Sequence, residues 1–290
     1  TSLKAKAPHV FQRQGVLCEV VADRGEIHDL TVPRAQDIMS ATNRFVQLAD
    51  DHLKEVVAPE RVAAMLVARR AHGKVREIEA VTTAPILLAD GTVLQTPGYN
   101  ETARVWLASD VTISVPDDVS QDDAVNALAE LRAVFADFPF LTPADRDTVV
   151  AAMLTMLTRT AIRFAPAPLF VVSAAVAGSG KTLLTDTMSK IVTGKAAEIR
   201  PYNPGDVAEW QKRITAFVRA GWAFNVLDNV NGVFSDSALD RLVTAPTWSD
   251  RVLGESNAPP VPNAGMWLVT GNNCEDRKST RLNSSHANVS

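Results

Sequence analysis

The sequence predicts an α/β fold built on a parallel sheet, and three apolar segments are the main reason. Residues 169–172, 222–227 and 266–269 are short and contain no charged residue, as expected for strands buried on both faces of a sheet. Segments with apolar residues at helical spacing lie between them, and this alternation is typical of α/β proteins. The composition agrees, because 46% of the 290 residues are hydrophobic and 21% are charged.

Residues 1–118 predict a smaller α+β N-terminal region. Residues 10–22 alternate weakly between apolar and polar types and predict a hairpin that turns at Gly15. A short helix is expected over 59–70, and residues 74–107 predict strands separated by Asp-Gly and Pro-Gly turns. The region has no recognisable set of catalytic residues, so we assign it no chemistry.

Residues 119–168 predict a helical segment ahead of the sheet. Ser120 and Thr142 are good N-caps, and Pro143 suits the first position of the second helix. We expect both helices to pack on the core and to have no catalytic role. Their expected apolar faces contain Ala124, Leu128, Leu131 and Phe135 in the first helix, and Val149, Val150, Met153, Leu154 and Leu157 in the second.

Residues 169–275 contain the predicted nucleotide-binding core. The loop after the first strand reads AVAGSGKT, which matches the P-loop motif G-x-x-x-x-G-K-[ST] except that alanine replaces the first glycine. Such a loop surrounds phosphates with backbone N–H groups, its lysine contacts the β- and γ-phosphates, and its last hydroxyl binds Mg²⁺. An ordinary turn of small residues is the alternative for the loop alone. We therefore expect a P-loop NTPase core that takes ATP and Mg²⁺, with nucleotide contacts from Ala175, Ala177, Gly178, Ser179, Gly180, Lys181 and Thr182.

Two polar residues at predicted strand ends extend this site. Asp228 follows the second apolar strand and would hold Mg²⁺ together with Thr182, although capping the next helix is its alternative role. Asn272 and Asn273 follow the third strand. Because ligands bind outside the carboxyl ends of parallel strands, a polar side chain there would lie beside the γ-phosphate.

Together these motifs resemble the ATPase part of phage and mobile-element primase-helicases, within the broad AAA+ and superfamily 3 type. The resemblance is carried by AGSGKT, VLDN, WSDRVLG and WLVTGNN, with ADGTVLQTPGYN and ADFPFLTPADR upstream, and it covers roughly residues 80–275. It implies an ATP-dependent DNA helicase motor of a replication protein in the cytoplasm of the host cell. It also implies a homo-oligomeric ring on single-stranded DNA, with ATP at the subunit interfaces and no membrane.

Within this resemblance, three residues are assigned to catalysis beside Lys181. Asp228 binds the metal, and Asn272, with Asn273 as the alternative, orients the attacking water. Many relatives place a glutamate as general base where this chain has Asn229, and an asparagine cannot accept a proton. Glu209 is a candidate base on its position alone. Residues 251–265, where superfamily 3 helicases grip DNA, contain one cation, Arg251.

The last fifteen residues stand apart from this pattern. The stretch DRKSTRLNSSH within residues 276–290 matches the translated reading frame of a common sequencing adapter. We expect this tail to be artefactual and disordered, and the core to be truncated before its last strand and its arginine finger. The chain by itself is then expected to be inactive: it should bind nucleotide weakly at best and should not unwind DNA.

Two other functions are compatible with the P-loop. The first is an ATP-binding switch or scaffold protein without unwinding activity. The second is a small-molecule or nucleic-acid kinase, although kinases usually need an arginine-rich lid and the sequence shows no such segment. Hydrolysis of ATP that DNA stimulates would distinguish the helicase from both.

Overall fold

The chain folds around a parallel β-sheet formed by its C-terminal half. The computed structural model describes residues 7, 9–49, 52–70, 72–109, 113–116, 118–175, 178–234, 236–249, 260–276 and 284–289. Helices cover the sheet on both faces, so the coarse prediction of an α/β fold with a parallel sheet is confirmed.

The N-terminal elements are short strands and two helices. Strands β1 (Val10–Arg13), β2 (Val16–Val21) and β3 (Glu26–Asp29) form an antiparallel sheet in that order. The elements that follow are α1 (Val32–Thr42), β4 (Phe45–Ala49), β5 (His52–Val56), α2 (Glu60–Ala68), β6 (Ala80–Thr82), β7 (Ile86–Leu87), β8 (Val93–Leu94), β9 (Gly98–Asn100) and β10 (Val105–Leu107). Strand β10 lies between β6 and β9, while β4 pairs with β5 and β7 pairs with β8.

The C-terminal half supplies the central sheet and the helices around it. Its elements are α3 (Gln121–Val134), α4 (Pro143–Thr158), β11 (Leu169–Ala174), α5 (Lys181–Thr193), β12 (Glu198–Pro201), α6 (Val207–Ala220), β13 (Phe224–Phe234), α7 (Ser237–Thr244), β14 (Thr247–Trp248), β15 (Val261–Pro262), β16 (Met266–Asp276) and β17 (Ser284–Val289). The sheet order is β12-β13-β16-β11-β17, and all neighbouring strands are parallel. β14 pairs with β15 in a separate two-stranded sheet.

The central strands are buried on both faces, and alternate residues serve two cores. Met266 and Leu268 of β16 pack in the core that α4 and α5 share with the sheet. Trp267 and Val269 pack in the core on the α6 and α7 side. This alternation is the two-residue period of a strand. Within the described ranges, none of the helices has the length and apolar character that crossing a membrane requires.

The N-terminal strands contact the amino-terminal edge of the central sheet. Arg13 on β1 donates from Nη2 to the carbonyl oxygen of Arg219 at 2.5 Å, and Arg219 pairs with Asp29. Trp222, just before β13, donates from Nε1 to Glu26 Oε1 at 3.0 Å. These contacts leave the carboxyl-terminal edge of the sheet for the candidate site.

Several local predictions are confirmed. The first hairpin turns at Gly15, between β1 and β2, and a helix occupies 60–68. Ser120 and Thr142 both cap their helices in reciprocal capping boxes, in which the side chain three residues later bonds back to the cap. Capping preferences depend on neighbours in sequence, which is why the sequence alone predicts them well.

The predicted faces of α3 and α4 need correction. No residue of α3 is buried, Ala124 is exposed, and only Leu128 and Leu131 pack partly against the core, ahead of the fully buried Phe135. On α4 the side chain of Leu154 is exposed, whereas Met156 is buried. Helical spacing shows which residues share a face, but the position of the neighbouring element decides how much of that face is covered.

The expectation of a disordered tail is wrong for residues 284–289. They form β17, which pairs in parallel with β11 from Leu169 to Ala174. Without this partner β11 would be an edge strand with unpaired N–H and C=O groups, and a polar segment can satisfy them through its backbone alone. The prediction rested on the match of the tail to a translated adapter, whereas strand pairing depends on the open backbone edge that the tail meets.

Candidate functional site

The loop between β11 and α5 has the conformation that its glycines permit. Gly178 and Gly180 adopt φ of +79° and +86°, in the left-handed region where a side chain is strained. Gly180 is the N-cap of α5, so the helix begins at Lys181. The unpaired N–H groups and the positive end of the helix dipole at this terminus favour an anion. Ala177 lies outside the described residues.

Lys181 reaches from α5 to the neighbouring strand. Its Nζ donates to Asn272 Oδ1 at 2.8 Å and to Ser179 Oγ at 3.3 Å. Asn272 pairs in register with Ala174, the last residue of β11. The structure therefore brings together a lysine and an amide that are 91 residues apart in the sequence.

Asp228 lies in a β-bulge rather than at the end of its strand. Leu227 pairs with Val269 and Val230 pairs with Gly271, so Asp228 and Asn229 together lie opposite the single residue Thr270. The strand resumes after the bulge and continues to residue 234, and β16 likewise continues past Asn272 to residue 276. The prediction that these strands end at the polar residues is wrong, because the bulge interrupts the pairing without ending it.

The bulge sets the directions of its two residues. Asn229 has a φ of +71° and an exposed side chain. Asp228 is partly buried, and the hydroxyl of Thr270 donates to its Oδ1. The acid is thus held against the neighbouring strand, while the asparagine is turned into solvent.

These residues line one open cleft of about 360 Å³ at the carboxyl-terminal edge of the sheet. That volume lies in the range of small-molecule sites. The lining residues are Gly178, Ser179, Gly180, Lys181, Thr182, Asp228, Asn229, Gly271 and Asn272. The cleft thus combines a left-handed glycine loop, one cation, one carboxylate, two amides and two hydroxyls.

The donor set of the cleft suits a hard divalent cation that is also bound by a phosphate. Thr182 is exposed to the cleft and offers a hydroxyl, and Asp228 offers a carboxylate; oxygen ligands of this kind are those that Mg²⁺ uses. Mg²⁺ usually keeps waters and takes one or two protein ligands together with substrate phosphates. Among the described residues no cluster of three or more histidine, cysteine or acidic residues could form a separate metal cage.

Two other sequence-predicted residues, Glu209 and Asn273, do not line the cleft. Glu209 is exposed in the first turn of α6, where its carboxylate approaches Lys212 Nζ at 3.4 Å and Arg213 Nε at 3.9 Å. Asn273 is exposed with a φ of +50° and does not line the cleft, in contrast to Asn272.

Of two further predicted positions, one is described and does not line the cleft, and the other lies outside the described residues. Ala175 follows β11 as an exposed residue and is not part of the lining. Arg251 lies outside the described residues, as do most of its neighbours in the expected DNA-gripping segment.

Sequence reasoning missed Thr270. It is 2% exposed and is the partner of the Asp228 carboxylate. The available signal was its place two residues before Asn272, because residues at i and i+2 of a strand share one face.

Burial also affects a thiol beside the cleft. Burial raises the pKa of Cys274, although the charge of Lys181 and a contact with Ser173 act in the opposite direction. The backbone N–H of Cys274 donates to Ser173 Oγ at 2.9 Å. The side chain of Cys274 packs in the core on the α6 and α7 side of the sheet.

Comparisons with known proteins give limited results. No protein-family description matches the sequence, and no curated protein sequence matches it. An apo structure of the NrS-1 C-terminal region aligns with 96% of this chain and 57% of its own length, at 10% identity and a TM-score of 0.42. The active SCCmec type IV Cch helicase aligns with 97% of this chain and 58% of its own, at 9% identity and a TM-score of 0.38. The chain thus spans less than two thirds of the length of each of these two structures.

Proposed function

We propose that this chain is the ATP-dependent motor part of a DNA helicase in a phage-type replication protein. The observation that carries the ATP-binding part of the proposal is the convergence of four residues on one cleft at the carboxyl-terminal edge of a parallel sheet. They are Lys181, Thr182, Asp228 and Asn272. Ligands of α/β proteins bind at this edge, and the glycine loop lies beside a helix N-terminus, which suits a phosphate chain.

Each residue then has a defined task toward the triphosphate. The loop N–H groups and the start of α5 hold phosphate oxygens, and the β- and γ-phosphates replace Asn272 as partner of the Lys181 ammonium. Thr182 and Asp228 would hold Mg²⁺, which neutralises charge on the β- and γ-phosphates when it is bound. Asn272, once released by Lys181, is free to orient a water beside the γ-phosphate.

The helicase part of the proposal rests on the motif resemblance rather than on the cleft. In that proposal the complete protein forms a homo-oligomeric ring on single-stranded DNA, with ATP between subunits and an arginine supplied by the neighbour. An arginine supplied in trans can raise phosphoryl-transfer rates by about 10³–10⁵-fold. A single chain is therefore expected to bind nucleotide and to hydrolyse it slowly.

One observation favours a second candidate, an ATP-binding switch or scaffold protein. Asp228 is the single carboxylate among the described residues that line the cleft, and the adjacent Asn229 cannot accept a proton. Glu209 pairs with two cations on its own helix and does not line the cleft. A site without a positioned general base binds ATP well and turns it over poorly.

Single-turnover hydrolysis separates the two candidates. The 290-residue protein, in excess over radiolabelled ATP and with MgCl₂, is incubated with and without single-stranded DNA. A motor predicts faster release of phosphate when DNA is present, and a switch predicts no change. Lys181→Ala should abolish turnover, while Lys190→Ala, which removes an exposed lysine paired with Asp186 on the same helix, should not. Turnover that is clearly measurable in wild type and equally fast in Lys181→Ala would contradict both candidates.

A further inference from the structure

A buried hydroxyl from one strand determines the position of the only cleft carboxylate among the described residues. Thr270 is 2% exposed, lies opposite the Asp228 bulge, and donates its Oγ1 hydrogen to Asp228 Oδ1. Hydrogen bonds to charged groups are stronger than those between neutral groups. Thr270 therefore restricts the carboxylate to one orientation.

The same face of β16 also binds the positive charge of the cleft, the Lys181 ammonium. Asn272 lies two residues after Thr270 and accepts from Lys181 Nζ at 2.8 Å. Alternate residues of a strand share a face, so Thr270 and Asn272 lie on the same side of β16. Thr270 bonds to the Asp228 carboxylate and Asn272 bonds to the Lys181 ammonium, so each charge has its own partner. Without these partners the two opposite charges attract each other across the cleft.

The hydroxyl also decides which carboxylate oxygen is available. Thr270 uses Oδ1, and among the residues that the structure describes no donor reaches Oδ2. A carboxylate can accept about four hydrogen bonds, so one bond at Oδ1 leaves Oδ2 free to bind a cation. Ligating carboxylates generally depend on such an outer partner for their orientation.

We propose that Thr270 is a positioning residue that orients Asp228 for Mg²⁺ and keeps it from pairing with Lys181. The proposal rests on the proposed nucleotide site. It assigns the threonine no contact with nucleotide, so its removal affects the metal requirement and spares the affinity for metal-free ATP.

The experiment titrates MgCl₂ into the full-length chain with a fluorescent ATP analogue, and separately measures binding of the analogue in EDTA. Thr270→Val, or Thr270→Ala if the first variant folds poorly, should raise the Mg²⁺ concentration at half-maximal effect by about tenfold, the loss expected for a hydrogen bond to a charged group. Binding in EDTA should stay unchanged. Thr270→Ser keeps the hydroxyl and should restore the wild-type titration.

Two controls test whether the effect is specific. Thr215→Val removes another buried hydroxyl, which accepts from Trp248 Nε1 at 2.9 Å on the opposite face of the sheet, and should lower stability without changing the Mg²⁺ requirement. In an Asp228→Asn background, Thr270→Val should have no further effect on that requirement.

The outcomes distinguish this inference from the proposed function. If wild type binds the analogue and Thr270→Val has the same Mg²⁺ requirement, the inference is wrong and the nucleotide site stands. Weaker binding of Thr270→Val in EDTA as well would show a structural role only and would also overturn it. If wild type binds no analogue at any Mg²⁺ concentration, the proposed function is wrong, and so is the inference that rests on it.

Discussion

At the scale of single residues, Gly271 of β16 lines the cleft and pairs with Val230 of β13, and there is no room for a side chain at this position. A Cβ at this position would collide with the carbonyl oxygen of Val230 and would lie 2.5 Å from Cys274 Sγ. Backbone atoms cannot yield as the end of a flexible side chain can. The pairing of Val230, the first residue after the Asp228 bulge, therefore depends on glycine at position 271.

Gly271→Ala is expected to lower the free energy of unfolding by roughly 1–3 kcal/mol, the usual cost of overpacking. Urea denaturation measures this difference. Gly73→Ala is the matched control, because a Cβ there meets nothing within 4 Å, and it should change stability by less than about 0.5 kcal/mol. Equal stabilities of the two variants would contradict the close approach.

The pair of asparagines after the third strand gives a second residue-scale prediction. Asn272 lines the cleft and contacts Lys181, whereas Asn273 is exposed and does not. Asn272→Ala should reduce ATP turnover by about 10²-fold, the effect of a misplaced reacting group, and should leave ATP affinity nearly unchanged. Asn273→Ala should behave as wild type. A larger loss of turnover in Asn273→Ala would show that the wrong asparagine has been assigned.

At the scale of elements, β16 is the strand that connects the site. It lies between β11, which leads into the glycine loop, and β13, which contains Asp228, so its residues can contact both parts of the cleft. Thr270 contacts Asp228, and Asn272 contacts Lys181. This one strand therefore contributes one residue to the metal part of the site and another to the phosphate part.

The outer strand β17 yields an element-scale prediction about association. Removing residues 277–290 takes away the partner of β11 and leaves its backbone groups unpaired along Leu169–Ala174. An open edge of this kind pairs with other chains. Sedimentation velocity over a concentration series should show that the shortened chain self-associates more strongly than the full chain. A shortened chain that keeps its circular dichroism spectrum and stays as monomeric as the full chain would contradict the pairing.

At the scale of the whole molecule, buried thiols make stability depend on alkaline pH. Burial raises the pKa of Cys18 from 9.0 to about 12. Between these values the unfolded chain loses a proton that the folded chain keeps, so the free energy of unfolding falls as pH rises from about 9 toward 12. Below pH 9 the contribution of Cys18 is fully present.

The measurement is urea denaturation at pH 8 and pH 10.5. Wild type should be less stable at the higher pH. The Cys18→Ala variant should lose less stability between pH 8 and pH 10.5. Part of the loss should remain in the variant, because burial also raises the pKa of Tyr99 and Tyr202. An identical loss in wild type and variant would show that the Cys18 thiol ionises in the folded protein.

The sequence predicted the parts of this molecule that depend on local pattern and on general rules for parallel sheets. The loop conformation follows from its glycines, and Asp228 and Asn272 meet because parallel strands share a carboxyl-terminal edge. The bulge opposite Thr270 was not predictable, because two-against-one pairing depends on which strands become neighbours. The exposed side of α3 and the pairing of β17 also depend on distant partners, which no local pattern specifies.

The central claim is that this cleft binds Mg²⁺ and ATP, and an equilibrium titration tests it most directly. Fluorescent ATP analogue with MgCl₂ is titrated into wild type, Lys181→Ala and the control Lys190→Ala. The account predicts saturable binding to wild type and control, and about 10- to 100-fold weaker binding to Lys181→Ala, since a charged hydrogen-bond donor to the phosphates is lost. Equal binding to all three proteins, or no binding to wild type, would contradict it.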